Sequence, residues 1–515
     1  MRSTTARGTA GTAIGGRAAT AAATATAGAA GGGLLLFLSF PPRGWWWLAP
    51  VAFVVIGAAW RGRGARAGAG LGMVTGVAFF VPLLSWTGEF VGPVPWLALA
   101  TLQALFVALA GAAVGALPDR WWWPVGAAAV WVAAEAPRGR VPFDGFPWGR
   151  TGFSQPEGVF TPVAALGGVA LLGFVVALTG FALPGLARAV LRADTRLPAA
   201  AVLLVPIVIT VVAPVVAVTT PPGTASVVVA AVQGNVPRAG LDFNAQRRTV
   251  LDNHARRTEK LAADVAAGRV PRPDLVLWPE NSADVDPLRS PDARAAVDRA
   301  VRAIGVPVLV GAVLNPPDGP PTNTMVAWSP ESGPGEIHDK RRLQPFGEYM
   351  PYKDFFRLFS PLVDRSSDFV PGSGDGVVPM AGVAVGIATC YEVIFDDLVR
   401  DSVRSGAQML AVPSNNATFG RTGMTYQQLA IDRVRSVEFG RSTVVPTTSG
   451  VSAVILPDGT VRSGTAMFEP AALVERVPLR SDLTPALRYG AVAEWVLVAT
   501  AVLAVAGAVL RRQRR

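Results

Sequence analysis

Charge is the first thing this chain is short of. Only 16% of its 515 residues are Asp, Glu, Lys or Arg, where a soluble chain of that length carries about 25%. The shortage is also uneven. Of 36 acidic residues, 29 lie between positions 221 and 488, leaving 7 for the other 247. That asymmetry excludes an ordinary soluble enzyme. Cysteine is almost absent, and the single one, Cys390, excludes an internal disulfide or a thiolate metal cluster. Histidine is nearly as rare, with only His254 and His338. Nothing in the sequence points to a metal, a nucleotide or any other cofactor.

What is present in their place is apolar: 51% hydrophobic residues and a mean hydropathy of +0.39. The net charge of +10 comes from the flanks, because residues 221–488 carry 28 Lys or Arg against 29 acids. The flanks hold 18 Arg against 7 acids. These arginines lie among apolar runs and the one substantial polar domain is neutral, which excludes nucleic acid as a partner.

A membrane span needs roughly 20 mostly apolar residues to cross about 30 Å of hydrocarbon. Such segments occur near 18–40, 45–60, 67–86, 93–117, 121–136, 160–186, 198–219 and 489–510; the second and fifth are short. Eight spans are expected, with seven as the alternative count. Orientation follows from Arg61, Arg63 and Arg66, from Arg188, Arg192 and Arg196, and from the tail Arg511, Arg512, Arg514 and Arg515. With Arg2, Arg7, Arg17 and Arg120, 14 of the 18 flank arginines fall on one side, which the positive-inside rule makes cytoplasmic. Both termini are then cytoplasmic, and no cleavable signal peptide is expected. The expected division is a membrane domain over 1–219, an extracytoplasmic domain over 220–488, and a last helix with its basic tail over 489–515. Trp45–Trp47 and Trp121–Trp123 open spans as an interfacial belt. Arg138, Arg140 and Arg150 oppose the rule and share the loop Pro137–Gln155. They could hold lipid phosphates, pack against the outer domain, or belong to a structured loop that binds no ligand.

In the polar part, apolar β-branched runs at 226–235, 274–281, 306–314, 383–390, 407–413 and 442–448 alternate with helical patterns at 244–268, 291–304 and 423–440. Continuous apolar strands separated by amphipathic helices indicate an α/β domain with covered sheets. In such sheets reactive groups sit just beyond the carboxyl ends of strands. Those ends read Trp278-Pro279-Glu280-Asn281, Cys390-Tyr391-Glu392 and Pro413-Ser414-Asn415-Asn416; a further polar stretch runs from His338-Asp339-Lys340-Arg341 to Phe346-Gly347-Glu348-Tyr349.

A lone cysteine is most often a small buried hydrophobe. At a strand end before Tyr-Glu, Cys390 is also a candidate nucleophile. It then needs a base and a cationic or N–H-lined oxyanion site. His254 lies on an amphipathic helix, where a solvated or capping role is expected. His338 is a rival base, but Glu280 is the stronger one, since a partly dehydrated carboxylate at a strand end can hold and return a proton. Lys340 is one of only 3 lysines against 43 arginines. A chain that otherwise uses arginine has reason to keep a compact ammonium where an oxyanion forms.

The Trp-Pro-Glu-Asn, His-Asp-Lys…Pro-Phe-Gly-Glu and Cys-Tyr-Glu blocks resemble the nitrilase, or carbon–nitrogen hydrolase, superfamily, whose triad is Glu, Lys and Cys in that order. With seven spans before and one after, the whole chain resembles that superfamily's membrane-embedded branch, the bacterial apolipoprotein N-acyltransferases. Phe146-Pro147-Trp148 and Gly152-Phe153-Ser154-Gln155 look like that branch's membrane loop. The resemblance implies an inserted α-β-β-α sandwich, with Glu280 as base, Lys340 as oxyanion cation and Cys390 as nucleophile. It implies supporting roles for Glu348, Tyr391 and Glu392, the Tyr391 N–H being an oxyanion donor. It also implies a membrane phospholipid as acyl donor and a diacylglyceryl-modified apolipoprotein as acceptor, in the bacterial plasma membrane. A membrane-anchored amidase or nitrilase with the same triad is the alternative. The chain departs from the pattern at Leu241, Asp242 and Phe243, and at Thr418.

Overall fold

The computed structural model describes residues 6–191, 196–216, 224–237, 246–358, 363 and 368–514. Seven helices come first: α1 (Ala6–Ser39), α2 (Leu48–Trp60), α3 (Ala65–Leu83), α4 (Pro93–Ala116), α5 (Trp123–Arg138), α6 (Ala164–Leu191) and α7 (Arg196–Val216). Each overlaps an expected span. The first starts at Ala6 instead of near 18, because its Ala-rich tract propagates helix well. Five helices among the described residues are long and apolar enough to cross a membrane, by length and composition: Ala19–Ser39, Ala65–Leu83, Pro93–Ala116, Thr161–Gly185 and Pro485–Gln513. Leu48–Trp60 and Ala201–Val215 are shorter apolar helices. Inside the bundle α3 and α4 touch backbone to backbone: a Cβ on Gly68 would lie 2.2 Å from the Gly111 carbonyl oxygen. Small residues four apart make that approach possible, the usual device where apolar helices pack without help from water.

The polar part contains β1 (Ser226–Gln233), α8 (Arg247–Ala266), β2 (Leu275–Leu277), α9 (Pro291–Ile304), β3 (Val308–Leu314), β4 (Thr322–Ser329), β5 (Gly333–Asp339), α10 (Lys353–Arg357), β6 (Val377–Met380), β7 (Val383–Ile387), α11 (Asp396–Arg404), β8 (Met409–Ala411), α12 (Met424–Phe439), β9 (Thr443–Val445), β10 (Ala453–Ile455), β11 (Val461–Gly464) and β12 (Ala471–Pro478). The chain ends in α13 (Pro485–Gln513). Two six-stranded sheets form, ordered β12-β1-β2-β3-β4-β5 and β11-β10-β9-β8-β7-β6. They meet through Val229, Ala231 and Leu277 on one side and Val385, Ile387 and Ala411 on the other. The alternate residues Ala230 and Val232 of β1 pack outward with residues of α8 and α9. Burial on both faces is why these strands read as unbroken apolar runs.

The outer face of the second sheet is covered by α11 and α12. Ile394, Leu398, Ile431 and Val434 there share one continuous core with Phe53, Trp131 and Val176 of the helical bundle. The loop after α5 is wedged into this seam. Arg138 donates to Gln103 Oε1 (3.0 Å) and to the Trp148 carbonyl (2.6 Å). Arg140 pairs with Glu494 of α13 (2.6 Å), and Arg150 with Asp396 (2.7 Å) and Glu494 (3.2 Å). Arg150 thus packs against the outer domain, whereas Arg140 is held by the last helix and Arg138 orders the loop against the bundle. Arg2, Arg192, the departures Leu241, Asp242 and Phe243, and the expected boundary at 219/220 lie outside the described residues.

One expectation is overturned. His254 is wholly buried, and its Nδ1 donates to the Val250 carbonyl at 2.8 Å. The helix turns this residue toward Trp278, just beyond the end of β2, so His254 is neither solvated nor a cap.

Candidate active site

Three strand ends deliver the site. Glu280 follows β2, on a backbone that crosses β3 so closely that a Cβ on Gly311 would meet the Pro279 carbonyl at 2.2 Å. Lys340 is the first residue past β5, and its N–H donates to the Asn323 carbonyl of β4 at 2.8 Å. Cys390 opens a short 3₁₀ turn after β7, with its N–H on the Pro413 carbonyl at 2.9 Å. It sits in left-handed backbone at φ 51°, and Asn281, next to Glu280, does so at φ 57°. Non-glycine residues pay strain there, which tends to persist where a side chain must be aimed.

The structure brings the expected residues together. Lys340 Nζ lies 2.9 Å from Glu280 Oε1 and 2.9 Å from Glu348 Oε2, with Lys340 only 2% exposed. Burial alone would lower the lysine, but Glu280 and Glu348, then Cys390, hold its ammonium well above the usual range. Cys390 is buried. Burial first, then Glu280, pushes its thiol well up, while Lys340 and the Asn415 N–H pull the other way. The resting sulfur therefore carries its proton. With one ammonium and two carboxylates nearby, a bare thiolate would be a third negative charge; passing the proton to Glu280 leaves the total unchanged.

The flanking residues fix this geometry. Glu392 is fully buried and accepts from the Thr389 N–H at 2.7 Å and from the N–H groups of Arg341 (2.7 Å) and Arg342 (2.9 Å). It thus fastens the Cys390 turn to the chain leaving Lys340. Burial raises its carboxyl despite Lys340 and these donors. Glu348 also accepts from the Gln344 N–H at 2.7 Å. The Tyr391 hydroxyl donates to the Gly145 carbonyl at 3.0 Å, and its ring is stacked on Phe146. His338 is buried in β5, paired in register with Met325, and burial with Arg341 lowers it to about 4. It forms no bond with the triad residues among the described contacts.

Two residues were not assigned roles from sequence. Asn323 donates to Glu280 Oε1 at 2.8 Å and to Glu348 Oε1 at 2.7 Å. Asn415 donates its backbone N–H to Glu280 Oε2 at 3.0 Å and also faces the Cys390 sulfur. The Pro413–Asn416 stretch was visible as a strand end; Asn323, amid Thr and Pro, carries no local signal. Among the described residues, no group of three or more His, Cys, Asp or Glu side chains is placed to hold a metal ion.

Paired sheets clad in helices, with a carboxylate, an ammonium and a thiol meeting at their strand ends, define a nitrilase-type domain, here built onto a bundle of apolar helices. The carbon–nitrogen hydrolase family model matches residues 228–480, and that of the apolipoprotein N-acyltransferase N-terminal domain matches 32–182. The chain belongs to the apolipoprotein N-acyltransferase family. It is 45% identical over 466 residues to the apolipoprotein N-acyltransferase of Mycolicibacterium smegmatis, covering 87% of this chain and 78% of that relative. To the Azotobacter vinelandii protein of the same name it is 33% identical over 392 residues, 75% and 73% of the two chains. A solved mutant of a Nesterenkonia amidase from the nitrilase superfamily is 20% identical, covering 53% of this chain and 96% of that one, at a TM-score of 0.37. With its apolar helices, the chain is a membrane protein.

Proposed function

We propose that this chain moves a fatty acyl group from a membrane phospholipid, through a thioester on Cys390, to the α-amino group of an S-diacylglyceryl cysteine at a lipoprotein N-terminus. The observation that supports this most is the closed cluster of Glu280, Lys340, Glu348 and a protonated Cys390 in a chain of this family. In the first half-reaction Glu280 takes the thiol proton and the sulfur attacks an ester carbonyl. The tetrahedral oxyanion forms beside Lys340, with the Tyr391 N–H as a second donor. The C–O bond breaks, and the lysophospholipid leaves with the proton from Glu280. In the second, the amine attacks the thioester and yields a proton to Glu280; the C–S bond breaks, and the thiol is restored as the amide departs.

An amine must outcompete water here, so the pocket has to be shielded by lipid and covering loops. Keeping both acyl chains in the bilayer avoids exposing them, at about 0.8 kcal/mol per CH₂. On this reading the chain divides at 1–219, 220–488 and 489–515, with eight spans, both termini cytoplasmic and the nitrilase-like domain outside the plasma membrane. The test is intact-mass spectrometry after incubation with phospholipid. Cys390 should gain one fatty-acyl mass that hydroxylamine removes, and Cys390→Ala should gain none. An unacylated wild type that hydrolyses small amides would instead favour the membrane-anchored amidase.

A further inference from the structure

Behind the nucleophile's turn runs an unbroken chain of opposite charges that the reaction does not use. It starts on α13, where Glu494 receives Arg140 at 2.6 Å and Arg150 at 3.2 Å. Arg150 passes to Asp396 Oδ2 at 2.7 Å, and Asp396 Oδ1 receives Arg435 of α12 at 2.6 Å. Arg435 ends the chain on Glu438. The same guanidinium donates to the carbonyls of Val393 (2.9 Å) and Ile394 (2.8 Å), the last residues of the turn that Cys390 opens. Arg150, Glu494, Arg435 and Glu438 are each at most 6% exposed. The backbone makes room for them: α6 is kinked at Gly168, where a Cβ would lie 2.6 Å from Glu438 Oε1.

Charges buried this deeply lose more hydration than their pairing reliably returns, so the chain is a poor device for stability alone. What a rigid, fully paired set of guanidiniums does well is fix the position of what it holds. We infer that α13 positions the nucleophile: Glu494 orients Arg150, Arg150 and Arg435 clamp Asp396, and Arg435 holds the back of the Cys390–Ile394 turn while Glu392 holds its front. Glu494, Arg150, Asp396 and Arg435 are positioning residues. This rests on the reading that Cys390 is acylated.

The experiment uses full-length protein in phospholipid–detergent micelles and two rates. One is single-turnover acylation of Cys390 by intact mass. The other is alkylation of Cys390 by iodoacetamide, which is unambiguous because no other cysteine exists. Glu494→Gln should slow both by on the order of tenfold or more per folded molecule, since small displacements of a reacting atom cost that much. The phospholipid concentration giving half-maximal rate should stay within about twofold, on the same ground that only the reacting atom is displaced. Glu494→Asp should recover part of the loss. Asp396→Asn, which keeps shape and loses charge, should reproduce the Glu494→Gln defect. Glu157→Gln, at the exposed pair with Arg433, should change neither rate. Wild-type rates per folded molecule in Glu494→Gln and Asp396→Asn, even with poor yields of folded protein, would overturn the inference. Absence of acylation in the wild type would instead defeat the functional reading.

Discussion

Replacing Asn323 with leucine is the sharpest perturbation available, because it keeps the volume and removes two hydrogen bonds at once. The Asn323 amide bridges Glu280 and Glu348 at 2.8 and 2.7 Å. Bonds from a neutral donor to a buried carboxylate are worth about 1.5–3 kcal/mol each. Lys340 continues to hold both carboxylates, so only part of that total reaches the transition state. Taking half of the pair gives about 1.5–3 kcal/mol, which at about 1.36 kcal/mol per decade is roughly a 10- to 150-fold loss in acylation rate. Asn323→Asp should be worse, since it sets a third carboxylate against the first two. The assay is the single-turnover gain of fatty-acyl mass on Cys390, with a melting curve to verify the fold. An Asn323→Leu enzyme that folds and acylates within about threefold of wild type would refute the idea that this amide sets the geometry of the pair.

Cys390→Ser should fail in both half-reactions, and Lys340→Ala should fall by about a hundredfold or more, the 2.7–4 kcal/mol typical of a lost oxyanion donor; full activity in either would contradict the roles given to them. His338→Gln should keep most activity in the same assay, and a complete loss would make His338 the base. Burial drives Asp284 up to about 7 from an ordinary 3.8. Its contribution to stability is thus present below pH 4 and lost as pH rises through 7, up to about 4 kcal/mol; Asp284→Asn should raise the Tm at pH 8 and leave it little changed at pH 4. His254, lowered by burial to about 4 from 6.5, acts in the opposite sense. The stability it contributes is full above 6.5 and lost as pH falls through 4, up to about 3 kcal/mol, so in an Asp284→Asn background, where the opposing change is removed, Tm should drop across that window.

Where packing and local chemistry agree, the sequence was readable. The segment 291–304 coincides with α9 because Ser290 caps it, Pro291 opens it and Gly305 closes it in left-handed backbone. The central strands were visible because both faces are buried, although β2 is only Leu275–Leu277 and the remainder of its run, Trp278–Asn281, is the loop carrying Glu280. Strand β5, Gly-Pro-Gly-Glu-Ile-His-Asp, lies at a sheet edge with much of its length exposed and offers no alternation to read. Nor could one predict that Glu494, a lone carboxylate in an apolar helix, meets arginines some 340 residues earlier; such pairing belongs to the tertiary fold. Glu280 and Cys390 were legible because each follows an apolar run, and Lys340 because it is one of 3 lysines, while Asn323 acts from inside a strand and is known only from its partners.

The shared interior between α11, α12 and the bundle alters what the helices are for. They are not a leash tied to a self-sufficient enzyme. Ile394, Leu398 and Val434 complete their burial against residues from the other half of the chain. A fragment excised at 224 and 480 would be left with a bare greasy wall directly behind its cysteine, and it should clump or lose that wall's shape. Apolar bundle and α/β domain are, in this molecule, joined at the level of side-chain packing.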